Sequence, residues 1–294
     1  MTQRLPPTEA ENPQSAGLDL LTTPALVELL IADQRAAVDA VLAQTREIAR
    51  AVDEIAGRLS RGGRLHYVGA GSSGRIAALD ASEMPPTFGT PQEMVQAHIA
   101  GGNTALTTAV EGAEDDAGAG DVAMLECARP DDAVLGISAS GTAAFVVAAI
   151  ARAATIGAYT IALTGDAQSA LARAAELAIV PTTGAEALAG STRLKAGTAQ
   201  KVALNAISTA VMVRLGKVYD NLMVDVVANN AKLRGRALRL VARLARVNDK
   251  RAEELLAQAG GRVKIAVVME LRGVDAAQAR SLLKRNEGAL RKLL

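Results

Sequence analysis

The chain has 294 residues, half of them apolar, and a formal net charge of +1. That length can bury a sizeable core in one large domain with appendages or in two modest ones. The charge balance argues against a general nucleic-acid binder, whose footprint is a basic excess or stripe. With no Trp, three Tyr and two Phe, stacking platforms for bases or sugars are not expected.

The first residues (MTQRLPPTEAENPQSAG) are polar and lack a basic stretch leading into an apolar core. No secretory signal is therefore expected. No run of about twenty apolar residues predicts a membrane span, and a cytoplasmic location follows as the expectation. Residues 1–20 read as an extended arm. From Pro24 to about Leu59 apolar residues recur at helical spacing (Leu26, Leu29, Leu30; Val38, Val41, Leu42; Ile48, Val52, Ile55), which predicts two or three helices ending at Gly62-Gly63.

The pattern then changes. Short β-rich runs at Arg64–Val68, Val95–Ile99, Val134–Ser138, Tyr159–Thr164 and Leu177–Pro181 alternate with helical segments, the signature of βαβ units and a parallel sheet. A long helix is expected from about Thr192 to Leu215, with Ser191 as N-cap. Past Asn229 the chain reads as helical and basic, with Leu233, Leu238, Val241 and Leu244 on one face of the first helix. Three short helices separated by Gly260-Gly261 and Gly273 complete a small bundle. Glu253, Glu254 and Glu270 interrupt its positive charge, so a solvated face is expected rather than a nucleic-acid surface. The organisation expected is residues 1–60 as arm and packing helices, 61–228 as an α/β core domain, and 229–294 as a helical region.

The lone Cys127 lies in a helical stretch (DVAMLECAR). It excludes an intramolecular disulfide, suits a reducing compartment, and is expected to be buried and structural. His66 and His98 fall on strands and show no metal-ligand spacing, so packing is the simpler account of both.

Two turns carry the chemistry. GAGSSG at 69–74 fits G-x-G-x-x-G directly after a strand and opening a helix. A dinucleotide site also needs an acidic residue at the tip of the next strand, but that strand ends in HIAGG and Glu93 precedes it. What remains is a helix N-terminus with backbone N–H groups and the hydroxyls of Ser72 and Ser73, a cradle for a compact phosphate monoester. A tight turn with serine as N-cap would need no ligand. A second Ser/Gly turn, Ile137-Ser138-Ala139-Ser140-Gly141, again follows a strand and precedes a helix. Two such turns on one edge of a parallel sheet favour a sugar-phosphate pocket.

At these turns the sequence resembles the N-acetylmuramic acid 6-phosphate etherase family. The strings that carry the resemblance are VGAGSSGRIAALDASEMPPTFG (68–89), IAGGNTALTTAVEGAEDD (99–116), STRLKAGTAQK (191–201) and GKVYDNLMVDVVANNAKL (216–233). The resemblance implies an α/β sandwich of the SIS (sugar isomerase) type, a homodimer, and neither metal nor cofactor. It implies cleavage of the D-lactyl ether of N-acetylmuramic acid 6-phosphate to N-acetylglucosamine 6-phosphate and D-lactate in cell-wall recycling. The family's catalytic residues map onto Glu83 and Glu114. Ser72, Ser73, Ser138 and Ser140, with Glu111 and Lys195, make up the expected substrate-binding set. The second turn departs from the family: SGTAAFV stands where SGRTPYV is usual, which removes any contact made by that arginine.

Two carboxyls suit the chemistry. The open-chain aldehyde makes the C2 proton acidic; a base removes it while an acid protonates the departing lactate oxygen. Pro85 and Pro86 predict that the helix opening near Ser73 ends around Glu83. There the negative end of the macrodipole and partial burial would keep that carboxyl protonated. Glu83 is then the expected acid and Glu114 the base by elimination. Over ten helical residues, about 15 Å, Glu83 would lie too far from the phosphate turn of its own chain, which suggests a site shared across a two-fold interface. The rival readings are a non-catalytic sugar-phosphate regulator resembling glucokinase regulatory protein, and a sugar-phosphate isomerase.

Overall fold

A computed structural model describes residues 6–226 and 231–294; the expected boundary at 228/229 lies outside them. The chain divides into two compact units, one of Met1–Ala81 and Glu93–Ser208, the other of Ser82–Gln92 and Thr209–Leu294.

In the first unit the N-terminal arm is not simply extended. It forms three short 3-10 turns at Pro7–Glu9, Pro13–Ser15 and Leu18–Leu20. Three helices follow as expected, α1 (Thr23–Asp33), α2 (Arg35–Leu42) and α3 (Thr45–Ser60). Then come β1 (Leu65–Gly69), α4 (Gly71–Phe88), β2 (Val95–Ile99), α5 (Ala117–Cys127), β3 (Ala133–Ile137), α6 (Ala144–Ile156), β4 (Tyr159–Leu163), α7 (Ala170–Ala174), β5 (Leu177–Ile179) and α8 (Lys195–Arg214).

All five strands are parallel, in the order β2-β1-β3-β4-β5. β1, β3 and β4 are buried along their whole length, as expected where helices cover both faces of a parallel sheet. On one face Val68, Val134 and Ala162 meet Met124 of α5, Phe145, Val146 and Ile150 of α6 and Leu171 of α7. The opposite face presents Tyr67, whose hydroxyl donates to buried Asp80 of α4 at 3.1 Å. That carboxylate also accepts from Asn205 and Ser208 of α8, each at 3.2 Å.

Two expectations for the helices are corrected. α4 does not stop at Glu83; Pro85 and Pro86 lie inside it and it runs to Phe88. Met84 and Phe88, one turn apart on one face, are both buried. Burial at about 1.5–3 kcal/mol for each of the two side chains offsets much of the cost of two interior prolines, about 3 kcal/mol each. Gly89, at φ 61°, ends the helix, its N–H donating to the Pro85 carbonyl at 2.9 Å. Nor does α8 start under a Ser191 cap. The buried Glu186 carboxylate accepts from the Lys195 and Ala196 N–H groups at 2.9 Å each, satisfying two donors that a helix start leaves open.

The second unit holds α9 (Ala231–Ala245), α10 (Asp249–Gln258), α11 (Val263–Arg272) and α12 (Ala276–Arg285). The glycine breaks fall where expected, with Gly260, Gly261 and Gly273 all at positive φ. Asn248 caps α10, and an Asp275–Gln278 capping box opens α12. The buried face of α9 is Ala237, Leu240, Val241 and Ala245, with Leu233, Leu238 and Leu244 only partly buried beside it. Lys264 is buried, and its ammonium donates to the Gly216 carbonyl, Asp225 and the Gly288 carbonyl at 2.7, 2.7 and 2.8 Å.

Candidate active site

The strand order reverses direction between β1 and β3, because β2 lies on one side of β1 and the later strands lie on the other. Ligands of open α/β sheets bind at such a switch point, outside the carboxyl ends of the strands. Gly69 and Ile137 are register partners, so the two serine turns spring from neighbouring strand ends.

The first turn is tight. A Cβ on Gly69 would lie 2.7 Å from the Gly74 nitrogen, and one on Gly74 would lie 2.5 Å from Ile99. Only glycine allows this close helix-to-strand approach. Ser72 is half-buried and Ser73 buried, and both lie in the first turn of α4. The second turn departs from expectation, since α6 begins only at Ala144 and does not open directly after Gly141. Ser138 Oγ accepts the Gly141 N–H at 3.1 Å. Ser140 Oγ lies 2.7 Å from Thr142 Oγ1 and accepts the Thr142 N–H at 3.3 Å. The residue that departs from the family pattern thus occupies the hydroxyl of Ser140.

The loop after β2 completes this edge. Arg75, in α4, donates to the Ala105 carbonyl at 2.9 Å, tying the loop to the helix turn that bears Ser72 and Ser73. A cavity of about 710 Å³ is lined here by His98, Asn103, Glu111, Asp116 and Phe145, among others. Glu111 and Glu114 are exposed, Glu114 within a 3-10 turn at Ala113–Asp115.

Two further expected residues lie elsewhere along the chain. Glu83 is exposed and stands five residues before the end of α4. It is neither at a helix terminus nor partly buried, so the macrodipole argument does not apply to it. Lys195 is buried at the start of α8, its ammonium donating to Asp33 at 2.8 Å and to the Ala185 carbonyl at 2.6 Å.

Neither histidine packs alone. His66 Nδ1 lies 3.0 Å from His98 Nε2, and His66 Nε2 lies 3.1 Å from Asp132 Oδ2. Burial pushes both imidazoles below their ordinary range, His98 to about 4 with help from the neighbouring His66 and Arg64. Burial alone would raise Asp132, but hydrogen bonds from Arg64 and His66 hold it below the usual carboxylate range. Cys127, at the end of α5, is half-buried rather than buried. Among the described residues no group of three or more His, Cys, Asp or Glu is placed to hold a metal, and no helix is long and apolar enough to cross a membrane.

Comparison with known proteins decides the family. The chain is 48% identical over 289 residues to the N-acetylmuramic acid 6-phosphate etherases of Salmonella agona (strain SL483) and Salmonella typhi, spanning 98% of this chain and 97% of each relative. The chain belongs to the N-acetylmuramic acid 6-phosphate etherase family. Residues 47–154 also match the glucokinase regulatory protein N-terminal SIS domain, and residues 104–210 the SIS domain. The SIS fold is shared with an E. coli CFT073 protein solved as a ligand complex, at TM-score 0.50 and 23% identity over 68% of this chain and 97% of that one. It is shared equally with a putative phosphosugar isomerase from Bacteroides fragilis, at TM-score 0.50 and 23% identity over 67% and 93%.

Within the etherase frame, three groups escaped the reading of the sequence. Glu186 caps α8 from nine residues upstream, without a local capping signature. Asp80 gathers Tyr67, Asn205 and Ser208, and Asn205 Oδ1 in turn receives the Lys201 ammonium. His98 joins the site only through strand register. The alternation of His66 and Val68 with Leu65 and Tyr67 was the one available signal for its face.

Proposed function

We propose that this chain cleaves the D-lactyl ether of N-acetylmuramic acid 6-phosphate, giving N-acetylglucosamine 6-phosphate and D-lactate, as a carbon–oxygen lyase of cytoplasmic peptidoglycan recycling. The observation that carries the reading is the pair of serine turns rooted side by side at the switch point, in a chain 48% identical to etherases along nearly its whole length. The phosphate rests on Ser72, Ser73, Ser138, Ser140 and the N–H groups opening α4, with Glu111 and Lys195 completing the binding set.

Chemistry begins on the open-chain aldehyde. A carboxylate takes the C2 proton, the electron pair forms the C2–C3 double bond, and the C3–oxygen bond breaks as a second carboxyl protonates the lactate oxygen. Water then adds at C3. Glu83 and Glu114 are the pair. The continuation of α4 to Phe88 removes the helix-end reason for naming Glu83 the acid, so the reading assigns the two roles jointly. Release of D-lactate from the pure sugar phosphate in deuterium oxide, with deuterium at C2 of the product, is the expected result. Solvent oxygen in the lactate would place the cleavage on the lactyl side and overturn the mechanism.

The reading includes a homodimer with a shared site. Glu83 follows Ser72 by eleven residues of continuous helix, about 16 Å of rise, whereas C2 and C3 lie only about 6–7 Å from the phosphate of the same sugar. Mixing Glu83→Ala and Glu114→Ala proteins under subunit exchange should therefore restore activity. No recovery despite demonstrated exchange would place both glutamates in one subunit's pocket.

The match to the glucokinase regulatory protein domain supports a second reading, a regulator that binds sugar phosphate without turnover. Binding without lactate release would favour it.

A further inference from the structure

The cavity beside the loop after β2 has an acceptor-rich wall. Its polar side chains include His98, Asn103, Glu111 and Asp116, and no lysine or arginine lines it. Such a wall suits hydroxyl and amide N–H groups and does not suit phosphate, which the serine turns serve.

One of these acceptors is set from within the sheet. Asp132 is ion-paired with Arg64 at 2.7 Å and can only accept, so His66 Nε2, 3.1 Å away, carries a proton. Neutral His66 then has a bare Nδ1, which accepts from His98 Nε2–H at 3.0 Å. His98 is left with an unprotonated Nδ1. That atom has no hydrogen-bond partner among the described residues, and His98 is one of the residues lining the cavity. Arg64, Arg129 and Asp132 are the charges on the buried side of the pair, and Glu111 and Asp116 those on the cavity side. If the pair gained one proton, His98 Nδ1 would carry hydrogen whichever ring held the charge, because a charged His66 would donate from Nδ1 to His98 Nε2; that atom would turn from acceptor to donor.

We propose that His98 is a specificity-determining residue, its Nδ1 accepting a hydrogen bond from a neutral donor of the sugar, a hydroxyl or the acetamido N–H. His66 and Asp132 act as positioning residues that hold this tautomer. The inference rests on the etherase reading, and the Arg75–Ala105 tie keeps the cavity loop against the turn assigned to the phosphate.

Nitrogen NMR of the full chain labelled at histidine reads the tautomer without substrate. At neutral pH His98 should show a bare Nδ1 and a protonated Nε2; the opposite tautomer overturns the inference. With N-acetylmuramic acid 6-phosphate, His98→Leu should raise KM about tenfold or more, with kcat within a few-fold. His98→Asn, whose amide oxygen can stand near the lost Nδ1, should recover part of that loss. His66→Phe, which frees His98 to adopt either tautomer, should raise KM by a smaller factor. Unchanged KM in a folded His98→Leu protein, with the wild type active, overturns the inference and leaves the etherase reading intact. A wild-type chain that releases no D-lactate overturns both.

Discussion

The two serine turns are alike in composition and unlike in what their atoms do. After β1, α4 starts at Gly71, and neither the Ser72 nor the Ser73 hydroxyl has a hydrogen-bond partner among the described residues. After β3, both hydroxyls are engaged within the loop, Ser138 with the Gly141 N–H and Ser140 with Thr142. Thr164 and Gly165 also hold that loop, donating to the Ala139 carbonyl at 3.4 and 2.9 Å. In the second turn each serine oxygen also accepts a loop N–H, so those hydroxyls hold the loop's shape as well as facing the anion, whereas the first turn's hydroxyls have only the anion to serve. Similar strings can divide the work of one site.

The contrast is sharpest at the glycines. Gly141 has φ 70°, and a Cβ there would meet Ser169 Oγ at 2.2 Å and Thr164 Oγ1 at 2.6 Å. Gly71 also has positive φ, 52°, but a Cβ on it would meet nothing within 4 Å. Gly141→Ala should destabilise the chain by about 3 kcal/mol or more, from strain and overpacking together. Gly71→Ala should cost only about 1 kcal/mol. Urea unfolding of the two proteins checks this, and equal losses would erase the distinction between the turns.

Serine substitutions come next in size. Ser72→Ala and Ser73→Ala should raise KM about ten- to a hundredfold with little loss of stability, the worth of a charged hydrogen bond at about 1.5–3 kcal/mol. Ser138→Ala should also lower stability, by less than about 1 kcal/mol, because the Gly141 N–H loses its side-chain acceptor and keeps the Ser138 carbonyl at 3.1 Å. Thr142→Ala frees the Ser140 hydroxyl and should lower KM modestly. Four serine variants with wild-type saturation curves would remove the phosphate assignment.

Strand β2, which carries His98, differs from both turns in that its contribution depends on pH. The pKa of His98 falls to about 4 in the folded chain, from an ordinary value of 6.5. Below pH 6.5 the unfolded chain therefore binds more protons. This contribution to stability is fully present above 6.5 and is lost progressively down to about pH 4. Its size is on the order of 2 kcal/mol at about 1.36 per unit, discounted for the partial exposure of the ring. His98→Asn should flatten that part of the stability curve in unfolding experiments between pH 7.5 and 4.5.

The strands were legible because β1, β3 and β4 are buried on both faces and must read as apolar runs. The serine turns were legible because glycine and serine cluster where a strand hands over to a helix. Pro85 and Pro86 misled because local propensity knows nothing of the burial of Met84 and Phe88. The His66–His98 pair was invisible for another reason: 32 residues separate the partners, and only the pairing of β1 with β2 brings them together. The same holds for Lys195 and Asp33, which are 162 residues apart.

Lys264 bears on where the chain can be cut. Its ammonium gathers acceptors from Gly216, Asp225 and Gly288, so one cation ties together stretches 72 residues apart. Asp225 is further held by Lys217 at 3.3 Å. A chain ending before Gly288 would keep a buried charge while losing one of its three oxygens. A chain ending before Gly216 would lose the cation and all its acceptors together. At this cluster, then, a cut before Gly216 orphans no charge, whereas a cut before Gly288 leaves the Lys264 ammonium short of an acceptor.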